Sequence, residues 1–165
     1  MIVTTERLQL REMNMEDTDN LMKIFSDPEA MTYYPSTKTK EEAEKWIAWT
    51  LNNYASFGVG LWIVEDKHTG EFLGQCGIVP QKVEEKVEME IGYLFARSVW
   101  GNGYATEAAL ACKQYGLEVL AYPKMVSLID LHNQPSIKVA ERIGMKRESI
   151  LYKWDKDNYV YACYQ

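Results

Sequence analysis

The chain of 165 residues lacks the features that mark several large classes of protein. Its three cysteines, Cys76, Cys112 and Cys163, form no CxxC pair and have no spacing typical of metal ligands, so we expect neither a disulfide framework nor a metal site. No uncharged apolar run reaches about 18 residues, which argues against a transmembrane helix. The first residues lack a basic segment followed by an apolar one, as a signal peptide would have. These absences together predict a protein of the reducing cytoplasm.

Positive charge is also scarce. The 18 Lys and Arg residues are outnumbered by 24 Asp and Glu residues, which gives a net charge of −6, and no Lys/Arg block stands out. A protein that binds the nucleic-acid backbone needs a concentrated basic face, so we expect no nucleic-acid partner. An acidic protein can still hold one polyanionic ligand through its backbone amides. Apolar residues make up 47% of the chain, which suffices for one compact domain with a core.

Hydrophobic periodicity predicts an alternation of strands and helices. Alternating apolar residues predict strands over residues 2–11, 61–65, 72–79, 87–96, 124–131, 145–151 and 159–164. Helical spacing predicts helices over 14–26, 41–54, 105–120 and 136–143, the last capped by Gly144. The pattern over 105–120 is the strongest, with small and apolar residues on one side as far as Val119. The order β-α-α-β-β-β-α-β-α-β-β predicts one α/β (α+β) domain over residues 1–165 with a mixed sheet.

A glycine-rich turn, Gly101-Asn102-Gly103, separates a predicted strand from this long helix. The start of a helix carries unpaired N–H groups and a partial positive charge, so anions bind there. Glycine lets the backbone come close to a diphosphate because no Cβ intervenes, and Thr106 adds a hydroxyl in the first turn. Two glycines alone fit an ordinary turn better, but the small residues that follow favour an anion site.

A dinucleotide-binding motif is the obvious alternative for this turn. That motif needs a third glycine where Thr106 stands, and an acidic residue about 20 positions later for the ribose. Pro123 and Lys124 occupy that later region. The turn also lies late in the chain rather than after the first strand. The dinucleotide interpretation is therefore the weaker one.

Four blocks of sequence, in order along nearly the whole chain, are similar to the GNAT superfamily of acetyltransferases, and within it to the ribosomal-protein N-terminal acetyltransferases. The most specific block is Trp-Gly-Asn-Gly-Tyr-Ala-Thr-Glu-Ala at 100–108. The supporting blocks are Thr-Glu-Arg-Leu-Gln-Leu-Arg at 5–11, Glu-Ile-Gly-Tyr-Leu at 90–94, and Asn-Gln-Pro-Ser at 133–136 with Gly144-Met145.

The resemblance implies an acetyl-CoA-dependent N-acetyltransferase without a metal. Its mixed, mostly antiparallel central sheet, flanked by helices, would splay between the fourth and fifth predicted strands, 87–96 and 124–131. The acceptor would be a primary amine on a protein N-terminus, a lysine, a polyamine or a small molecule, and the net charge weakly favours a cationic one. The sequence leaves open whether the protein forms a homodimer. A different class of protein, a non-catalytic module that senses acyl-CoA, would need the glycine turn but no catalytic residues.

The resemblance also implies which residues bind the CoA thioester. Backbone amides hold the diphosphate, and the pantetheine arm lies along the strand that ends at Tyr93, Leu94 and Phe95, where a free N–H near Leu94 or Phe95 polarises the thioester carbonyl. Asn133 matches an asparagine that contacts pantetheine, although an N-cap for the following helix fits its spacing equally well. The diphosphate residues are Val99, Trp100, Gly101, Asn102, Gly103 and Tyr104, with Ala105 and Thr106 in the first helical turn.

Two residues match catalytic positions of the family. Glu90 would serve as general base, directly or through water, and strand alternation places Glu88 on the same face. A solvated strand position is the alternative for both, and we prefer it for Glu88. Ser136 would hydrogen-bond or protonate the departing thiolate, although a helix-start role fits equally well. Ala140 stands where many members carry a tyrosine, which excludes a tyrosine acid at that position.

Some residues depart from the family pattern or have more than one interpretation. Ser98 and Asn102 replace basic residues that are common in this turn, so backbone amides should hold most of the diphosphate. Arg97 is adjacent and is expected to be able to take over a phosphate contact. The aromatic residues Tyr33, Tyr34, Trp46 and Trp49 fall on segments that cover the acceptor side in this family, although for both tryptophans we prefer a role in core packing.

Overall fold

The computed structural model describes all residues from Met1 to Gln165. Its helices are α1 (Thr18–Phe25), α2 (Lys40–Phe57), α3 (Tyr104–Gln114) and α4 (Gln134–Arg142). Its strands are β1 (Val3–Thr4), β2 (Leu8–Glu12), β3 (Leu61–Asp66), β4 (Phe72–Val83), β5 (Lys86–Phe95), β6 (Lys124–Asp130), β7 (Lys146–Lys153) and β8 (Lys156–Tyr164). Short 3₁₀ turns cover Met15–Asp17 and Arg97–Val99. No helix is both long enough and apolar enough to cross a membrane.

All eight strands form one sheet in the order β1-β2-β3-β4-β5-β6-β8-β7. Every neighbouring pair is antiparallel except β5 and β6, which run parallel. The predicted mixed, mostly antiparallel α/β fold is therefore confirmed. A dinucleotide-binding domain would instead have a mostly parallel, doubly wound sheet.

Strands β5 and β6 separate soon after they meet, and side chains explain why. Their only bridge joins Glu90 to Val126. In a continued parallel ladder, the Leu128 N–H would reach the Ile91 carbonyl. Instead, the Leu128 N–H donates to Glu90 Oε2 at 2.7 Å, and the Ser127 hydroxyl donates to the Ile91 carbonyl at 2.8 Å. These side chains take over the ladder hydrogen bonds and open the gap predicted between 87–96 and 124–131.

The core has two layers, one on each face of the sheet. Helices α3 and α4 cover one face, where Trp62 and Cys112 belong to a cluster of 23 buried residues. Helices α1 and α2 cover the other face, where Leu21 and Ile63 belong to a cluster of 12. The free energy of burying these apolar side chains on both faces holds the helices against the sheet.

Alternation along β5 directs its side chains to both layers. Ile91 and Phe95 belong to the cluster under α3 and α4, whereas Leu94 packs against the cluster under α1 and α2. The side chain of Glu90 therefore points to the α1/α2 side.

The first predicted strand is interrupted by a turn. Residues 2–11 form two antiparallel strands, because the chain reverses at Thr5–Arg7 and pairs Val3 with Leu10. Glu107 of α3 stabilises this turn by accepting hydrogen bonds from Thr5 Oγ1 at 2.5 Å, Arg7 N at 3.0 Å and Arg7 Nε at 2.7 Å. The turn thus depends on a partner about 100 residues away in the chain.

The predicted helix over 105–120 is also not continuous. Helix α3 ends at Gln114 and a π-helical turn covers Tyr115–Val119. A π turn rotates the residues after it relative to an α-helix, and Val119 is 67% exposed rather than buried as predicted. The turn brings Gly116 against β6, where an added Cβ would lie 2.4 Å from Met125 Sδ.

Candidate active site

A cleft of about 1020 Å³ occupies the gap between β5 and β6. Glu90, Gly92 and Leu94 line it from β5, and Asn133 and Ser136 line it from the segment that follows β6. The connection between α1 and α2, helix α2 and the β7–β8 turn form its other walls. Its volume is typical of sites for small molecules.

The glycine turn is held in shape by its own side chains. Gly101 and Gly103 have φ of 84° and 78°, values that favour glycine. The Trp100 indole N–H donates to the Phe95 carbonyl at 3.0 Å, and Asn102 Nδ2 donates to the Val99 carbonyl at 2.8 Å. The side chains of Trp100 and Asn102 therefore stabilise the turn itself.

No side chain caps the start of α3. Gly103 is the N-cap residue, and it has no side chain that could accept a hydrogen bond from the first N–H groups of the helix. These groups, near Tyr104, Ala105 and Thr106, lack intrahelical partners. The start of α3 therefore has N–H groups free to bind an anion. That a CoA diphosphate binds there stays a prediction.

The cationic residues near this turn differ from the expectation. Arg97 forms ion pairs with Asp27, at 3.0 Å, and with Glu29. Its charge is already neutralised there, which disfavours the expected phosphate contact. Arg7 approaches the turn more closely, with its Nη2 3.6 Å from the position of a Cβ on Gly103, although its guanidinium also forms an ion pair, with Glu107 at 2.7 Å. Sequence reasoning missed Arg7 because it lies far from the turn along the chain.

The backbone of β5 faces the gap at alternate residues. The Ala96 N–H donates to the Leu73 carbonyl of β4 at 2.9 Å. Because N–H directions alternate along a strand, the Leu94 N–H also points to β4, while those of Tyr93 and Phe95 point into the gap. Of the two predicted donors to the thioester, the geometry thus favours Phe95.

Asn133 and Ser136 lie together at the start of α4. Asn133 Oδ1 accepts a hydrogen bond from the Ser136 N–H at 3.3 Å, so Asn133 is an N-cap residue and also lines the cleft. The Tyr93 hydroxyl donates to the Ser136 carbonyl at 2.8 Å. Burial raises the pKa of Tyr93, so this hydroxyl keeps its proton.

Glu90 is a buried carboxylate rather than a solvated strand residue. Only 8% of it is exposed, and its oxygens accept hydrogen bonds from Gln81 Nε2 at 3.1 Å and from the Leu128 N–H at 2.7 Å. Burial raises the pKa of Glu90 to about 7, although these two hydrogen bonds and the charge of Lys153 oppose the change. A base with this pKa is matched to neutral solution.

Two other ionisable residues lie near Glu90, and neither has the properties of a general base in the cleft. Glu88 forms an ion pair with Lys124 at 3.5 Å and does not line the cleft. Tyr34 lines the cleft, where desolvation of its hydroxyl and the charge of Glu90 raise the pKa of Tyr34 to about 12, so the hydroxyl keeps its proton near neutral pH.

The side of the cleft that the family resemblance assigns to the amine acceptor is closed by contacts between distant segments. The Lys156 ammonium forms an ion pair with Asp130 at 3.0 Å and donates to the Tyr33 carbonyl at 2.5 Å. The Tyr33 hydroxyl donates to the His132 carbonyl at 3.0 Å. The connection between α1 and α2 is thereby tied to the end of β6, next to Asn133.

The two tryptophans of α2 differ in their roles. Trp46 is half-buried and donates from Nε1 to Gln75 Oε1 at 3.1 Å. Trp49 packs against Trp46 with 5.3 Å between ring centroids but remains 40% exposed, and both rings line the cleft. The preference for core packing is therefore wrong for Trp49, because the face of α2 that carries it turns toward the cleft rather than the sheet.

A mostly antiparallel sheet that opens at its one parallel pair, with an uncapped helix start after one of the two strands, agrees with the acyltransferase fold that the sequence resemblance implied. Residues 7–146 match the acetyltransferase (GNAT) domain family, and the chain belongs to this family. Its members use acetyl-CoA. The residues present fit this co-substrate: Tyr93, Leu94 and Asn133 line the cleft, and the uncapped start of α3 follows the end of β5.

The chain is similar to YkkB of Bacillus subtilis (strain 168), with 51% identity over 96% of this chain and 93% of YkkB. It is also similar to the N-acetyltransferase p20 of Bacillus licheniformis, with 31% identity over 92% and 86% of the two chains. An acetyltransferase structure from Agrobacterium tumefaciens str. C58 superposes with a TM-score of 0.87 and 31% identity, covering 99% and 94% of the chains.

Ribosomal-protein acetyltransferases share the fold. The L7/L12 N-acetyltransferase RimL, solved in complex with coenzyme A, has a TM-score of 0.81 over 99% of this chain and 97% of RimL. The identity is 18%, so this likeness concerns the fold alone.

Proposed function

We propose that the protein transfers an acetyl group from acetyl-CoA to a primary amine by direct attack in a ternary complex. The observation that carries this proposal is the position of Glu90, a buried carboxylate at the point where β5 and β6 part. Its carboxylate lines the same cleft as Asn133 and Ser136. A base is thus held in the gap that fits the thioester.

In the proposed reaction, the amine nitrogen attacks the thioester carbonyl carbon and the bond between carbon and sulfur breaks. Glu90 takes the proton that the nitrogen loses, directly or through a water molecule. The Phe95 N–H donates to the carbonyl oxygen as negative charge develops there. The Ser136 hydroxyl donates a hydrogen bond to the departing thiolate, which takes its proton from solvent, while Glu90 releases the proton it accepted to solvent. The resemblance to the family and the place of Ser136 in the wall of the cleft support the role of this hydroxyl.

The CoA diphosphate would bind at the start of α3 through the backbone N–H groups of residues 99–104, with Ala105 and Thr106 alongside. The uncapped helix start and the positive φ of Gly101 and Gly103 support this assignment. The pantetheine arm would pair with the edge of β5 at Tyr93 and Phe95 and contact Leu94 and Asn133.

The test measures CoA thiol release with a panel of primary amines, together with acetyl-CoA binding by calorimetry. We expect amine-dependent release, with a loss of roughly 10²- to 10⁴-fold in kcat/KM for Glu90→Gln and unchanged acetyl-CoA binding. Ser136→Ala should lower kcat more than it raises KM. Binding of acetyl-CoA without release by any amine would indicate the non-catalytic sensing module instead. Absence of acetyl-CoA binding would refute both.

A further inference from the structure

The acceptor side of the cleft is lined by aromatic side chains that remain partly exposed. Tyr34, Trp49 and Trp154 are 36%, 40% and 46% exposed, although all three line the cleft. They come from three separate elements: the connection between α1 and α2, helix α2, and the β7–β8 turn. Trp46 packs against Trp49, with 5.3 Å between the ring centroids. An aromatic ring of a bound ligand that packed on these side chains would bury apolar area and form aromatic pairs.

Trp154 occupies an unfavourable backbone conformation. Trp154 and Asp155 are the two central residues of the β7–β8 turn, with φ of 56° and 59°. Turns of this kind favour Asn-Gly, because a bulky side chain is strained at positive φ. Strain of this kind persists where the surrounding structure holds it, and it concentrates at ligand sites. Here it places an indole ring in the wall of the cleft.

The charges in this part of the cleft suit one ammonium group rather than several. Lys156 is neutralised by Asp130 at 3.0 Å, while Glu90 and Asp155 have no cationic partner within ion-pair distance. Four acidic residues (Glu42, Glu90, Asp130 and Asp155) and three lysines (Lys38, Lys45 and Lys156) line the cleft, so its net charge is −1 when Glu90 is ionised. One ammonium group compensates this charge, whereas the further positive charges of a polyamine would have no excess negative charge to meet.

We propose that the preferred acceptor is a monoamine whose primary amino group lies a few bonds from an aromatic ring. The ring packs against Trp49 and Trp154, and the amino group faces Glu90. This inference rests on the proposed function. A free arylalkylamine and the aromatic N-terminal residue of a short peptide share this chemistry, and they are separated in the test.

The experiment compares kcat/KM for thiol release with tryptamine, 2-cyclohexylethylamine, spermidine and the dipeptide amide Phe-Gly-NH₂. We expect an aromatic amine to exceed both the saturated amine and spermidine by roughly tenfold, as stacking contributes beyond buried area. Tryptamine ahead of the dipeptide would indicate a free amine, and the reverse order a peptide N-terminus; either order supports the aromatic acceptor. Spermidine or the saturated amine as the best substrate would overturn it.

Variants test whether the two tryptophans form the ring site. Trp154→Asn removes the indole but keeps a residue that tolerates positive φ, so the turn is preserved. We expect Trp154→Asn and Trp49→Ala to raise KM for the aromatic amine roughly tenfold, with little change for ethylamine or for the acetyl-CoA Kd. Tyr152→Ala is the matched control, since Tyr152 lies on the same hairpin, is 68% exposed and does not line the cleft.

The outcomes separate this inference from the proposed function. If amines are acetylated but neither tryptophan variant changes the KM for tryptamine, the aromatic site is refuted and the acetyltransferase proposal stands. If no amine raises thiol release, the acetyltransferase proposal itself fails.

Discussion

Glu90→Gln should change the stability of the protein in a pH-dependent way. Burial raises the pKa of Glu90 from 4.5 to about 7. In the unfolded chain the carboxyl group is expected to keep its ordinary value, so between these two values the folded protein holds a proton that the unfolded chain has lost. The contribution of Glu90 to stability is therefore fully present below pH 4.5 and declines until the pH exceeds the folded-state pKa of about 7.

The magnitude follows from the two pKa values. A change from 4.5 to about 7 corresponds to roughly 3 kcal/mol of folding free energy. Glutamine has nearly the same shape, has no charge to bury and can still accept the hydrogen bond from Leu128. We therefore expect Glu90→Gln to match the wild type in stability at about pH 5 and to exceed it by roughly 3 kcal/mol at about pH 8.

Urea unfolding followed by tryptophan fluorescence at these two pH values measures the effect. Glu88→Gln is the matched control on the same strand, because it removes an ion pair with Lys124 rather than a buried charge. It should not stabilise the protein at either pH.

The pH dependence of catalysis gives a second measurement of the same group. The kcat/KM of the wild type should rise with pH through an inflection near 7, where Glu90 loses its proton.

Two results would refute this reasoning. An equal stability difference between Glu90→Gln and wild type at both pH values would show that burial does not perturb the ionisation of Glu90. A flat dependence of kcat/KM on pH across neutrality, with the chemical step limiting, would show that Glu90 is not the base.

Three further perturbations test the glycine turn, the closure of the acceptor side and the N-terminal turn. Gly103→Ala forces a φ of 78° on alanine and should cost about 1 kcal/mol in urea unfolding and weaken acetyl-CoA binding in calorimetry, whereas Gly58→Ala, at φ 75°, should cost the same stability alone. Equal acetyl-CoA affinity in both variants would contradict the assigned diphosphate site. Lys156→Met should lower stability by about 1 to 2 kcal/mol and raise KM for the amine more than for acetyl-CoA; Lys146→Met, at the exposed start of β7 and outside the cleft lining, should change neither KM, and identical kinetics in the two variants would argue against a role for the closure. Glu107→Gln should cost about 1 kcal/mol at neutral pH. Burial alone would raise the pKa of Glu107, but hydrogen bonds from the N-terminal turn lower it below 4.5, so this cost should disappear as the pH falls through that lower value, and a cost that persists in acid would contradict the hydrogen-bond assignment.

Local signals predicted much of this molecule. The string at 100–108 combines small residues, glycines and a helix start within nine positions, so it indicated an anion site before any tertiary contact was known. The alternation of apolar residues predicted most strands correctly. Alternation did not predict the reversal at Thr5–Arg7, because Glu107 stabilises it from a distant part of the chain. Helical spacing predicted too long a helix after residue 105, because a π turn that packs Gly116 against Met125 follows the end of α3.

The sequence by itself determined the family, the order of most elements and the identity of the glycine turn, because each depends on residues that are neighbours in the chain. Only the tertiary structure decided what Glu90 can do. Its carboxylate becomes a buried group with a pKa of about 7 because β6, far along the chain, offers it the Leu128 N–H and excludes water from it. Likewise, Trp49 and Trp154 share one cleft only because the fold places α2 and the β7–β8 turn along the walls of the same cleft. The burial of a side chain and the electrostatic field that acts on it depend on groups that the fold brings together in space, so no local sequence pattern predicts them.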